Sequence, residues 1–469
     1  MRLFPFSAEC GHSERNGYYR FCSEKEGRNI QAAIRTTEEV LFHESSGENT
    51  AGFPAWRAQK EEEKGRIEMN VTYCKGIPED EQAIVDFADL VFSKSHGPHD
   101  FRRQLPNLYG EGKKTQQYHY LVKEDGVIRG MVCVVPMEYR VGSEVLKVNG
   151  VGSVSVHSSC KGKGYMKALM NWALKDMEKE GVAFSALSGQ RQRYEYFGYA
   201  PAGPVWEYTV ERDNIRHRYG KADASMVTFE KAEKDAFWLQ KAWELHQGQT
   251  ARIERKQEEF FDLLRSWHGE AYGIFFSGEW IGYLCLVRDT VLEILFQPRP
   301  GEEQQEEKRL PQVLKALMEK MGLPELHIAL PLWEGRLSPE LGRLSGEMTA
   351  ASLGNFRVMD FEKTAGAFLQ MKQASLEGPL PEGELLFAIE ERGVLRLQVK
   401  DGAASARMLS EEEAGAGGPL FRLTALEACR FLFAPGGWRE LSPEQIGKLS
   451  PAVKSWLPLP LFLWKQDEC

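Results

Sequence analysis

The chain has 469 residues, of which 42% are hydrophobic, 27% charged and 11% aromatic. These are globular values, so disorder along the whole length is excluded, and ~150 residues per domain gives about three domains. A formal net charge of -9 argues against nucleic-acid binding through a basic surface.

The first 68 residues carry little apolar periodicity and end in the charge run Gln59–Glu68. The N-terminus turns polar after six residues, too short for a signal-peptide core, and the apolar run Leu457–Trp464 is too short to span a bilayer. Eight cysteines are scattered without a CxxC pair. They read as reduced thiols, and neither a metal site nor a membrane span is expected in what looks like a cytoplasmic protein.

From Met69 the chain is patterned. Residues 70–76 read as a strand and 79–92 as an amphipathic helix. Tyr118–His157 holds three or four β-rich runs, broken by Glu-Asp-Gly and Val-Gly-Ser-Glu turns. A glycine-basic cluster, a helix over Gly164–Gly181 and a strand over Val182–Ser188 follow. A second unit starts near Met226 with a strand, a helix over residues 234–247 and the hairpin Glu270–Asp289. That hairpin echoes the earlier one: Gly126 and Gly130 correspond to Gly278 and Gly282, which suggests an internal duplication. Residues 301–309 read as a polar loop, 310–322 as a helix and 323–331 as a strand. A third unit follows the helix Glu362–Ala374, with alternating strands over 384–391 and 394–401, a Gly/Ala-rich loop and the helix Thr424–Phe433.

The stretch Val151–Met170 carries the chemistry. A strand, a short loop with two glycines and two lysines, and a helix follow in order. Such a loop presents unpaired backbone N–H groups and the positive end of the helix dipole, which suit phosphate. Gly162 and Gly164 let the backbone approach a pyrophosphate, and Lys161 and Lys163 supply charge. A tight turn with solvent-facing lysines fits the same spacing. Neither GxxxxGK[ST] nor GxGxxG is present.

Lys161-Gly162-Lys163-Gly164-Tyr165-Met166 after Val154-Ser155-Val156 resembles the acetyl-CoA motif of the GCN5-related N-acetyltransferases (GNAT), Arg/Gln-x-x-Gly-x-Gly/Ala, with Met166 in place of the small residue. Tyr194-Glu195-Tyr196-Phe197-Gly198-Tyr199-Ala200-Pro201-Ala202 is similar to a segment of the Eis-like (enhanced intracellular survival) acetyltransferases. The resemblance covers roughly Met69–Cys469. It implies an α/β (α+β) protein with two tandem GNAT folds, the second degenerate, and a sterol-carrier-protein-like (SCP2-like) α+β domain. The corresponding ranges are 69–212, 222–362 and 363–469. Residues 1–68 are then surplus, either a disordered extension or a stretch upstream of a true start at Met69.

By the same resemblance, backbone amides of the strand Val154–Val156 hold the thioester of acetyl-CoA, and Lys161, Gly162, Lys163, Gly164, Tyr165 and Met166 bind the cofactor's phosphates. Tyr194 protonates the leaving thiolate, with Tyr196 and Tyr199 as competitors. The C-terminal carboxylate of Cys469 takes the amine's proton, with Asp467 and Glu468 as further carboxylates. His157 reads as a loop histidine. Arg191 and Arg193 depart from the family's small residues and suit an acidic substrate group, the CoA phosphate or solvent. The loop His96–Arg103 lies where this fold closes over substrate. The second unit lacks the motif and reads as silent. The implied partners are acetyl-CoA and an amine, within a trimer or hexamer. The function expected is acetyl-CoA-dependent N-acetyl transfer; a non-catalytic acyl-CoA- or lipid-binding protein is the alternative.

Overall fold

The computed structural model describes residues 70–220, 223–298, 303–375, 379–415 and 418–468. The expectations for residues 1–68 and for Cys469 lie outside the described residues. The strands are β1 (Val71–Lys75), β2 (His119–Glu124), β3 (Val127–Val141), β4 (Glu144–Val156), β5 (Phe184–Leu187), β6 (Ala200–Glu211), β7 (Val227–Lys231), β8 (Ala251–Ile253), β9 (Glu270–Phe276), β10 (Glu279–Val287), β11 (Thr290–Phe296), β12 (Glu325–Pro331) and β13 (Ser345–Val358). Among the described residues they form one sheet in the order β1-β2-β3-β4-β5-β13-β6-β12-β11-β10-β9-β7, with β8 on β3. A second sheet, β16-β15-β14-β17, belongs to the third unit (β14 Gly383–Ile389, β15 Gly393–Lys400, β16 Ala403–Leu409, β17 Arg422–Leu423).

Strand alternation sorts side chains onto two faces of the first unit. Tyr120, Val122, Val132 and Val134 pack against helix α4 (Tyr165–Glu180), as labelled with the site helices below. Leu121, Met131 and Cys133 pack on the opposite face against α1 (Glu81–His96), α2 (Phe101–Gln104) and α3 (Pro106–Tyr109). Glycines bound α4 at both ends, each in the left-handed conformation that ends or begins a helix cheaply.

The two hairpins that echo one another in sequence share a geometry. Asp125-Gly126 and Ser277-Gly278 all have positive φ, as a two-residue hairpin turn with right-handed twist requires. In both, one extra residue then bulges out, Arg129 in β3 and Ile281 in β10, just before Gly130 and Gly282. A parallel pair recurs as well: β4 with β5, and β11 with β12. The halves are not separate blocks, because β13 enters the sheet between β5 and β6.

One element differs from its expected form. Residues 301–309 read as a polar loop ahead of a helix over 310–322. The helix instead runs from Glu303 to Met321 with Pro311 inside it. Its Glu, Gln and Lys residues favour helix, and acidic residues suit a first turn.

The third unit shares a core with the first. Tyr139, Val148 and Phe184 join Phe368, Leu385, Phe431 and Trp456 in one buried cluster.

Candidate active site

Strands β4 and β5 pair in parallel only from Val148–Phe184 to Val151–Leu187. Beyond that pair β4 runs on to Val156 without β5, so its backbone groups on that side face a cleft. Ser153 sits at the start of this stretch with φ 49°, where the register against β3 slips. Val154 and Val156 are half-buried against the cluster that contains Val151 and Leu187.

The loop after β4 turns through Gly162 (φ 84°) and Gly164 (φ 79°), and Gly164 caps α4. A Cβ at either glycine would meet nothing within 4 Å. The backbone there is bare and open, as a group docking on the amides at the start of α4 requires. Lys161 is exposed. Lys163 is exposed as well, but its Nζ donates to Oε1 of Glu124 at 2.5 Å, and Tyr165 Oη donates to the same oxygen at 2.5 Å. These two bonds hold the Glu124 carboxyl down at about 2. The sequence reading spent Lys163 on phosphate; the structure spends it on fixing the loop to β2. Met166 is half-buried against the α4-side core.

Tyr194 lies on α5 (Arg191–Glu195) and is buried in the same cluster as Val151 and Leu187. Burial raises its pKa, and the charge of Arg193 opposes that shift. Its ring passes over Gly189, where a Cβ would sit 2.7 Å from Cε2, so only glycine fits there. Two residues of β13 support this segment: Asn355 Nδ2 donates to the carbonyl of Gly189 at 3.3 Å, and Arg357 Nη1 to that of Phe197 at 2.6 Å. The competitors are placed elsewhere. Tyr199 is wholly buried on Ser185, at 2.7 Å, and Tyr196 is exposed beneath Lys167. Arg191 pairs with Glu195. His157 caps its own loop by accepting from the amide of Ser159.

Sequence reasoning missed a polar chain on the α3 side of β4. His119 Nδ1 lies 3.1 Å from the carbonyl of Thr115 and 3.3 Å from that of Gln116, so Nδ1 carries the proton. Burial pushes this imidazole down to about 4, against the pull of those two carbonyls, so it is neutral near pH 7. Its Nε2 therefore accepts from Tyr109 Oη at 3.0 Å, and Tyr109 accepts in turn from Ser153 Oγ at 2.7 Å. With its proton committed, Ser153 Oγ has only lone pairs left to offer. The partners are 10 and 44 residues apart, and no local motif links them.

The tail also arrives on this side of the sheet. A cavity is lined by Met137, Gly150, Leu187, Ser188, Asn355 and Glu468, among others. Ser188 Oγ donates to Glu468 Oε2 at 2.6 Å, and Lys465 Nζ lies 2.7 Å from Glu468 Oε1. Elsewhere, Asp289, Glu325 and His327 bring ligand atoms within 4.8 Å of one another. There His327 lies 3.6 Å from Glu325, and the cluster has no link to the cleft.

Residues 75–202 match the acetyltransferase (GNAT) domain family. Strand β4, its glycine loop, α4 and Tyr194 all fall inside the matched stretch. Solved structures extend the likeness in fold over most of the chain. A GCN5-related N-acetyltransferase from Anabaena variabilis ATCC 29413 is 17% identical with TM-score 0.54, over 84% of this chain and 97% of its own. One from Kribbella flavida is 13% identical with TM-score 0.56, over 86% and 99%. Eis1 from Mycobacterium abscessus is 12% identical with TM-score 0.52, over 83% and 96%. At these identities the likeness is one of architecture. No curated protein matches the chain in sequence. Among the described residues no helix is long and apolar enough to cross a membrane.

Proposed function

We propose that the GNAT domain makes this protein an acetyl-CoA-dependent N-acetyltransferase that transfers the acetyl group directly to a primary amine. We read the whole chain as Eis-like, with a silent second GNAT unit and an SCP2-like third unit. One juxtaposition carries the reading: Val154 and Val156 on the open stretch of β4 and the buried Tyr194 pack in one cluster with Tyr165 and Met166, which directly follow the bare glycine loop.

In this reading the amides at Gly162 and Gly164 and the start of α4 hold the pyrophosphate. Lys161 adds charge from the rim, and Lys163 and Tyr165 keep the loop in shape through Glu124. Backbone N–H groups at Val154 and Val156 polarise the thioester carbonyl and stabilise the oxyanion as the amine attacks. Tyr194 then gives its proton to the departing thiolate; a raised pKa keeps that proton in place until the sulfur needs it. The proton released by the amine goes to the tail, where Glu468 lies beside Ser188 and Cys469 follows.

Acceptor products identified by mass spectrometry, with acyl-CoAs of increasing chain length and a panel of primary amines, test this assignment. An acetylated amine, with acetyl favoured over longer chains, is the expected result. Tight acyl-CoA binding with no acylated amine would favour the binding-protein alternative.

A further inference from the structure

The second unit lacks the glycine loop, yet it encloses a buried ionic cluster. Arg255, just after β8, donates from Nε and Nη2 to the two carboxylate oxygens of Asp467 at 2.8 and 2.9 Å. Its Nη1 donates to Glu293 Oε1 at 3.0 Å, and Glu293 also accepts from Tyr283 Oη. The side chains of Arg255 and Asp467 are each 1% exposed, and that of Glu293 is 0% exposed. His246 Nε2 donates to the carbonyl of Ile253 at 2.9 Å, which leaves Nδ1 to accept from Gln249 Nε2 at 2.9 Å. Gln249 Oε1 accepts from Trp464 Nε1 at 2.9 Å. Gln466 Nε2 donates to the carbonyl of Leu264 at 2.8 Å, and Trp267 Nε1 to that of Glu468 at 3.1 Å. The second unit therefore grips Trp464, Gln466, Asp467 and Glu468, all of them in the tail.

The tail then meets the first unit at Ser188, immediately after β5. Burying three charges is costly, and apolar side chains would hold a tail at lower cost. A bidentate guanidinium–carboxylate pair adds what apolar contact lacks, one register and one orientation. A slip of one residue would bring Gln466 or Glu468 to Arg255 and draw the tail away from Ser188.

We infer that Arg255 is a positioning residue: through Asp467 it docks the tail at the cleft of the first unit, and the motif-less second unit serves as the anchor. The catalytic part of this inference rests on the reading of that cleft as the transfer site. Glu468 is thereby held in the cavity that Gly150, Leu187, Ser188 and Asn355 also line, which the proposed function gives to the acceptor amine, so the device acts on the amine and not on acetyl-CoA.

The full-length protein tests it in two arms. Asp467→Asn keeps the side chain's shape and removes its charge, and a melting temperature taken beside the parent's separates undocking of the tail from global unfolding. Arg255→Lys keeps charge but loses the fork. Carboxypeptidase trimming, followed by mass spectrometry, reads docking without reference to activity. Trimming of Asp467→Asn inward past Gln466 is expected to run at least ~tenfold faster than in the parent, with Arg255→Lys between the two. Kinetics read the consequence: KM for the amine is expected to rise about tenfold while KM for acetyl-CoA stays unchanged. Unchanged trimming in both variants would overturn the anchor. Faster trimming with an unchanged amine KM would overturn the catalytic positioning. If the parent acetylates no amine, the proposed function fails, and the trimming arm still decides the docking.

Discussion

Tyr194 shows how burial can prepare one residue for one proton. Burial raises the phenol above its ordinary range, so near pH 7 Tyr194 is fully protonated and has a proton to give when a thiolate departs beside it. Tyr194→Phe removes only the hydroxyl. It should lower kcat by about a hundredfold and leave KM for acetyl-CoA unchanged, since the ring still packs on Gly189 and Tyr199. Steady-state kinetics with each substrate varied checks this. Tyr109→Phe tests the other polar chain: it frees the Ser153 proton, so KM for the amine should change while that for acetyl-CoA does not. Tyr194, Gly162 and Gly164 stand out in the sequence because each sits in a short motif, and the structure buries the first and gives both glycines a positive φ. The pairing of Lys163 with Glu124 was not legible, since a lysine in a glycine loop reads as phosphate-facing until a buried carboxylate 39 residues away is found beside it. The same holds for Tyr109 and His119, which look like ordinary core aromatics until folding aligns them with Ser153.

At the level of elements, the site is made by a strand that outruns its neighbour. β4 continues five residues past its last pairing with β5, from Gly152 to Val156, and the loop and helix that follow are set by two left-handed glycines. An alanine at 162 would have to adopt φ near 84°, at a cost of about 1–2 kcal/mol. Gly162→Ala should therefore lower the melting temperature by a few degrees and raise KM for acetyl-CoA, with KM for the amine unaffected; calorimetry and kinetics check the two parts. The hairpin echo was visible in sequence because turn glycines and the glycine after a bulge are both conformational requirements. Strand β13 was not, because its partners β5 and β6 were made more than a hundred residues earlier. Its Asn355 and Arg357 donate to the carbonyls of Gly189 and Phe197 on either side of Tyr194, so the later half of the chain supports the Tyr194 segment of the first.

The tail ties the three units together. Phe462, Trp464, Asp467 and Glu468 touch Tyr139, Gln249, Arg255 and Ser188, so the last stretch of the third unit joins the other two. Glu293 makes this junction sensitive to acid. Burial works to raise its carboxyl, but the charge of Arg255 beside it overcomes that and holds it well below the ordinary 4.5. A carboxyl depressed in the folded state contributes stability that is present above pH 4.5 and is lost as pH falls toward 2. Urea midpoints should therefore fall through that window, and Glu293→Gln, less stable near neutrality, should show a flatter fall.

The central claim is that the cleft beside β4 moves an acetyl group from CoA to an amine with Tyr194 as the acid. Thiol release from acetyl-CoA, followed with the responsive amine present or absent and repeated with Tyr194→Phe, tests it most directly. The account predicts amine-dependent release of free CoA that Tyr194→Phe strongly reduces. Release at the parent rate in Tyr194→Phe, or no amine-dependent release from the parent, would contradict it.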